Sequence, residues 1–250
     1  MTYCVGIRPA AGLVMMADTR TNAGVDNIST YRKLHTLADS EDRLIVLASA
    51  GSLSVTQSML GLLSEGLAPI EEDGCTRTLA TVPTLFRAAQ LVGEAVTLAR
   101  KPIDVTLEGT GINASVSLLL GGRIGDAPLG LYLIYGEGNF IECSPDSPFL
   151  QIGERKYGKP MLDRALDWNT PLDEAVKIGL ISFDAAMRSN LSVGRPLDLI
   201  AIPEDRARPV VRRRIEEDDA YYNTLSRRWG ELLNEARNAI PDPPFMHEDD

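Results

Sequence analysis

Residues 2 to 20 read Thr2-Tyr3-Cys4-Val5-Gly6-Ile7-Arg8, then Pro9-Ala10-Ala11-Gly12, then Leu13-Val14-Met15-Met16-Ala17-Asp18-Thr19-Arg20. Two strand-like runs joined by a Pro- and Gly-containing turn predict a β-hairpin that opens the fold. Only Met1 precedes Thr2. A methionine aminopeptidase removes Met when the next side chain is small, and Thr qualifies. The product is a threonine whose free α-amine lies beside its own hydroxyl. An α-amine titrates near pH ~8, so part of it is neutral at physiological pH. It then serves as general base for the adjacent Oγ, and nucleophile and base share one residue. Met-Thr alone decides nothing, since many ordinary chains begin this way.

The next residues add to it. The second run is followed by Thr21-Asn22-Ala23-Gly24, Lys33 lies in another strand-like stretch, and Ser49-Ala50-Gly51-Ser52 separates an apolar run from a helical one. On these residues the chain resembles the proteasome β-subunit family of N-terminal nucleophile hydrolases. That family has an N-terminal Thr and an Ala-Asp-x-Arg-x-x-x-Gly segment, matched here by Ala17, Asp18, Arg20 and Gly24. A lysine follows, matched by Lys33 with one residue fewer in the gap, and Ser49 to Ser52 resembles the family's Ala-Gly turn. Within the family the chain is most similar to the bacterial Anbu branch. The features are Thr directly after Met, the Thr21-Asn22-Ala23-Gly24 run, the stretch from Gly153-Glu154 to Tyr157-Gly158-Lys159-Pro160, and a C-terminal extension. The resemblance spans residues 2 to 215 and is specific in the first 52.

The resemblance implies a role for each matched residue. Thr2 Oγ attacks a peptide carbonyl. Lys33, as ammonium, holds positive charge beside it, and Asp18 orients and balances Lys33. The Gly51 N–H forms an oxyanion hole, Ser192 supports the nucleophile, and Thr21, Ser49 and Leu53 line a small neutral specificity pocket. By spacing alone, Asp18 and Lys33 read as a surface ion pair and Gly51 as a plain turn. There are two departures from the family. Its Gly-Ser-Gly turn is Gly153-Glu154-Arg155 here, and its Asp-x-x-Ser-Gly segment is Ser189-Asn190-Leu191-Ser192-Val193. Ser192 stands for the serine, but Ser189 replaces the aspartate and weakens the network that positions the amine. The function implied is a threonine-type peptidase inside a self-assembled homo-oligomer, ring or helical, acting on peptide or protein. A small-molecule amidase and a non-catalytic assembly or binding relative are the alternatives. No cofactor is implied, and no regulatory ATPase is assigned.

Composition bounds the rest. The chain has 250 residues, 44% of them hydrophobic, with 25 basic and 35 acidic side chains and a net charge of −10. No apolar run approaches the ~18 residues of a membrane span, and no basic-then-apolar signal pattern opens the chain, so a cytoplasmic protein without membrane contact is expected. Cys4, Cys75 and Cys143 lack CxxC spacing and read as reduced thiols. His35 and His247 lie far apart, so no metal centre is expected. The acidic balance argues against nucleic acid, which needs clustered Lys and Arg. Arg206, Arg208 and Arg212–Arg214 are the one basic cluster. Glu216–Asp219 follow at once, as on a charged strand edge or an ion-paired subunit surface.

Periodicity gives the order. Strands are expected at 33–37, 44–48, 115–120, 129–135, 140–142, 197–202 and 210–215, with helices at 52–67, 78–100, 159–168 and 172–190. Strands split by paired helices suggest two sheets stacked face to face with helices outside, as one domain over 2–215; the α+β fold that the resemblance implies, a four-layer αββα sandwich, fits this order. Residues 216–250 form a C-terminal helical extension with an apolar stripe (Tyr222, Leu225, Trp229, Leu232, Leu233, Ala236, Ile240) and an acidic tail. Gly153 to Lys159 imitates a phosphate-binding loop, but Pro160 replaces the Ser/Thr that would ligate Mg²⁺, so a turn and helix start is expected there.

Truncation after Ile215 is expected to lower the native mass while leaving a folded subunit. An unchanged native mass would place the assembly contacts elsewhere.

Overall fold

In the computed structural model of the protein, residues 2–22, 28–70, 74–107 and 114–246 are described. Met1, Ala23, Gly24 and His247, named above, lie outside the described residues. The opening hairpin forms from β1 (Tyr3–Ile7) and β2 (Gly12–Asp18), with Cys4 opposite Ala17 and Ile7 opposite Val14. Every residue of both strands is buried. This is why they read as near-continuous apolar runs: a strand covered on both faces has no polar side to alternate with.

The hairpin is the middle of a five-stranded antiparallel sheet. β10 (Phe149–Gly153) pairs with β1, β11 (Leu197–Pro203) with β2, and β12 (Val211–Ile215) with β11. A second antiparallel sheet runs β5 (Leu34–Asp39), β6 (Arg43–Gly51), β7 (Val116–Ile124), β8 (Gly130–Ile134) and β9 (Phe140–Glu142) in that order. A short ribbon of β3 (Arg20–Asn22) and β4 (Ile28–Thr30) follows the hairpin. The two large sheets pack face to face. Leu13, Met15 and Ala17 of the first meet Val46, Ala48 and Leu119 of the second. The alternate residues of β6, Ile45 and Leu47, face the other way and pack with Val55, Met59 and Val92 of α1 (Leu53–Glu65) and α2 (Leu85–Leu107). Beyond the first sheet lie α3 (Lys159–Ala165) and α4 (Leu172–Ser189), the latter against β1, β2 and β11. The result is the four-layer αββα sandwich.

The structure differs from the sequence reading in three places. α2 starts at Leu85 rather than near residue 78, because the residue before Pro83 is disfavoured in the helical region. Residues 78–82 form turns instead, with Leu79 still buried in the helix-side core. α2 then continues through Pro102 to Leu107. β10 was not expected, since its buried Gln151 breaks the apolar signal. The Gly153–Lys159 stretch is a turn and helix start: Lys159 pairs with Asp163 at 2.6 Å and lies over the Phe149 ring. The basic cluster is ion-paired on the sheet edge, Arg212 with Asp39 at 2.7 Å and Arg214 with Asp198 at 3.0 Å.

Backbone contacts divide the chain into two compact units, 1–216 and 217–250. The second is α5 (Ala220–Ala239), capped by Asp219 on the Tyr222 N–H at 2.8 Å, followed by a 3₁₀ turn at Pro244–Met246. Its surface carries Arg227–Glu231 and Arg228–Glu235 pairs, while Leu233 and Ile240 of the apolar stripe are exposed. Among the described residues no helix is long and apolar enough to cross a membrane.

Tyr3 ties β1 to both neighbours. Its ring lies 4.5 Å from Phe183, its hydroxyl donates to Ser182 Oγ at 3.0 Å, and Gln151 Nε2 donates to it at 2.7 Å. Burial pushes the phenol up to about 12, against the two hydrogen bonds. A tyrosine raised in the fold contributes stability that is complete below the unfolded value of ~10 and is lost as pH climbs towards the folded one. Tyr3→Phe is therefore expected to lower stability at pH 7 by about 1–3 kcal/mol, because Gln151 loses its acceptor. The same variant should lose less stability than wild type between pH 10 and 12, which urea unfolding at several pH values will measure.

Candidate active site

Asp18 ends β2 with its side chain completely buried. Its Oδ1 accepts the Tyr3 N–H at 3.0 Å and the Lys33 ammonium at 2.8 Å. Lys33 stands immediately before β5, in the loop rather than within the strand, and is 5% exposed. Its Nζ also donates to the Arg20 carbonyl at 2.6 Å. Burial pushes the Asp18 carboxyl above the usual carboxylate range. The Lys33 ammonium opposes this most, followed by the N–H groups of Tyr3 and Gly194. Removing a charge from water costs several kcal/mol per ion, and the Lys33 ammonium offsets that cost for the Asp18 carboxylate. Two of the three donors on Lys33 are used, and the residue also lines the pocket described next.

Thr2 is half-buried at a pocket of about 290 Å³. Thr21, Lys33, Ser49, Gly51 and Leu53 also line it. The Thr2 carbonyl accepts the Glu154 N–H at 2.6 Å. That approach requires Gly153, which has φ +80° and where a Cβ would collide with the Thr2 oxygen. Gly51 is constrained in the same way at the end of β6: φ is +109° and a Cβ would strike the Ser115 carbonyl. α1 starts two residues later, with Ser52 capping the Val55 N–H. The positive end of the helix thus lies at the pocket wall that Leu53 and Thr56 form.

Thr2, Asp18, Lys33 and Gly51 are therefore brought together, although they come from two sheets. Ser192 is placed differently. It lies in the turn after α4, its N–H bonded to Asn190 Oδ1 at 2.9 Å, and it does not line the pocket. Ser189 is the exposed last residue of α4. Sequence reasoning missed Tyr3, Gly153, Glu154 and Asn190 as parts of the site. The one signal was the departure from the family pattern at 153–155 and 189–193. Cys4 is buried, with Sγ 3.6 Å from the Ser49 carbonyl. Burial and the nearby Asp18 carboxylate push its thiol up, so it stays an unreactive thiol. A larger depression of about 640 Å³ lies between Ile70 and Glu94, with Cys75 and the Arg77–Glu94 ion pair in its walls. Among the described residues that line it, no nucleophile is paired with a base.

Lys33→Met would leave Asp18 buried without its counter-charge. A loss of about 3–5 kcal/mol relative to wild type is expected at pH 8. With no ammonium beside it, the Asp18 carboxyl titrates higher still in the folded variant, so the loss shrinks as pH falls and the carboxyl takes a proton. Urea unfolding at pH 8 and pH 5 tests this, and Asp18→Asn added to Lys33→Met should recover part of the stability at pH 8.

No family model matches the chain, and no curated protein does. Solved structures do. Anbu, the ancestral β-subunit, from Yersinia bercovieri is 42% identical over 96% of this chain and 98% of its own, with a TM-score of 0.86. The Gly-1 mutant of Anbu from Hyphomicrobium sp. strain MC1 is 44% identical over 97% and 99%, also with a TM-score of 0.86. Anbu from Pseudomonas aeruginosa, solved as a helical assembly of the complex, is 42% identical over 98% and 100%, with a TM-score of 0.88.

Proposed function

The chain belongs to the Anbu family of ancestral β-subunits, and from that membership we propose that it is a threonine-type peptidase working inside a homo-oligomer. The observation that carries the reading is the single Asp18 oxygen shared by the Tyr3 N–H and the Lys33 ammonium. It sets Thr2 one residue from a buried cation, with both facing one pocket.

The reaction follows from that placement. After Met1 is removed, the α-amine of Thr2 takes the Oγ proton, directly or through one water, as Oγ attacks a peptide carbonyl carbon. Charge develops on the carbonyl oxygen. The Gly51 N–H, the α1 N-terminus and the Lys33 ammonium stabilise it in a partly dry pocket, where such donors are strongest. Collapse of the intermediate breaks the C–N bond, and the ammonium formed on Thr2 protonates the leaving amine. Water, deprotonated by the same amine, then hydrolyses the acyl ester. The lining is short and mostly neutral, which suits small uncharged side chains at the cleaved position. Self-assembly is proposed from the helical complex of the Pseudomonas aeruginosa relative. A cytoplasmic place of work is proposed from the three free thiols.

A peptide vinyl sulfone or β-lactone should add one equivalent to Thr2, seen by intact mass. Thr2→Ala should abolish the adduct, and Lys33→Ala should slow its formation by about 100-fold or more. An adduct that persists in Thr2→Ala would remove Thr2 from the role of nucleophile.

A further inference from the structure

We propose that Glu154 and Asn190 form a clamp that positions Thr2 for reaction, supplying the support that Ser189 lacks. The proposal rests on the reading of Thr2 as nucleophile. Three hydrogen bonds run from the end of α4 through Asn190 and Glu154 to Thr2, and a fourth ties Asn190 to Ser192. The Asn190 N–H caps α4 on the Ala186 carbonyl at 2.9 Å. Asn190 Oδ1 accepts the Ser192 N–H at 2.9 Å, and Asn190 Nδ2 donates to Glu154 Oε2 at 2.9 Å. The Glu154 N–H then donates to the Thr2 carbonyl at 2.6 Å.

The chemistry of the chain fixes its direction. Glu154 is 7% exposed, so its carboxylate must find donors within the protein. Oε1 takes the Lys156 N–H at 3.1 Å and Oε2 takes Asn190. A carboxylate accepts only, and the Ser192 N–H donates only, so the Asn190 amide has one orientation that satisfies both. Among the described residues no ion pair holds Glu154. The charged side chains beside the clamp in sequence are Arg155 and Lys156 on its own turn and Arg188 on α4, the last paired with Asp184. Gly153 lets the clamp reach the Thr2 carbonyl. Fixing that carbonyl fixes the backbone of Thr2, which lines the same pocket as Gly51. Both residues are positioning residues, and a displacement of ~1 Å in such a site is enough for a 100-fold loss.

Asn190→Asp, Glu154→Gln and the exchanged pair E154Q/N190D separate this from plain structural support. Asn190→Asp sets two carboxylates against each other. Its rate of adduct formation on Thr2 should fall at least 10-fold relative to wild type at pH 8. The deficit should shrink towards pH 6, as a shared proton restores the bond. The exchanged pair reverses the polarity of the bond between 154 and 190 alone and leaves acceptors for the Lys156 and Ser192 N–H groups, so it should label within 3-fold of wild type with a ratio independent of pH. Asn190→Asp labelling at the wild-type rate, or an exchanged pair as slow as the single variant, would overturn the clamp. Loss of stability without the pH-dependent ratio would also overturn it. If Asn190→Asp does not fold, Asn190→Ala takes its place, with the same loss and no pH dependence. If wild type itself is not labelled at Thr2, the peptidase reading fails. Hydrogen exchange at the Glu154 N–H then decides the clamp: Asn190→Asp should speed it at least 10-fold and the exchanged pair restore it, and unchanged exchange would overturn the clamp.

Discussion

A carboxylate with no access to water, Asp18, is the constraint on which the rest of the site depends. A buried charge must be paired and hydrogen-bonded or it takes up a proton. Here one oxygen meets both needs, through Lys33 and the Tyr3 N–H. The ion pair joins the end of β2 in the first sheet to the residue that leads into β5 in the second. It therefore sets how the two sheets align at this end of the sandwich. It also fixes the start of β1, because the strand can move only by giving up a bond to a buried carboxylate. Thr2 inherits its position from that bond.

Close backbone approach completes the arrangement. At Gly51 and Gly153 the chain has positive φ and passes so near another carbonyl that any side chain would collide with it. One glycine ends β6 in the second sheet, and the other ends β10 in the first. Each lets its strand end reach the wall of the same pocket. Tyr3 anchors the floor, its phenol held between Gln151 of β10 and Ser182 of α4. A sheet edge, a helix and the opening strand are thus locked together directly beneath the first residue.

Family membership and the departures from the family pattern are compatible on physical grounds. What an N-terminal nucleophile needs is a fixed backbone and a charge-stabilising surround, and several residue types supply these. The aspartate expected at 189 is an exposed serine here. A buried glutamate on the turn after β10 and an asparagine at the end of α4 occupy the same neighbourhood of the fold. A pattern read position by position records this as a loss. The hydrogen bonds show polar groups at 154 and 190 joined next to position 189.

Much was legible in the sequence. Uninterrupted apolar runs marked β1, β2, β6 and β7 as strands, three-and-four spacing marked α2, an apolar stripe marked α5, and Pro171 marked the first turn of α4. Lys33 and Gly51, singled out in the sequence, line one pocket with Thr2, and Asp18 bonds Lys33 behind it. The start of α2 was misread because Leu79 and Val82 keep helical spacing while Pro83 prevents the helix. β10 and the roles of Tyr3, Glu154 and Asn190 were not legible. Their partners lie 36 to 179 residues away in the chain, and no periodicity encodes a contact of that range. By itself the sequence pointed to two stacked sheets with helices outside and placed a hydroxyl-bearing threonine at position 2, since burial patterns and residue types are local properties. Only the tertiary structure decided which distant polar groups meet around Tyr3 and Glu154, since a buried hydrogen bond exists only where the packing of two sheets and a helix brings donor and acceptor together.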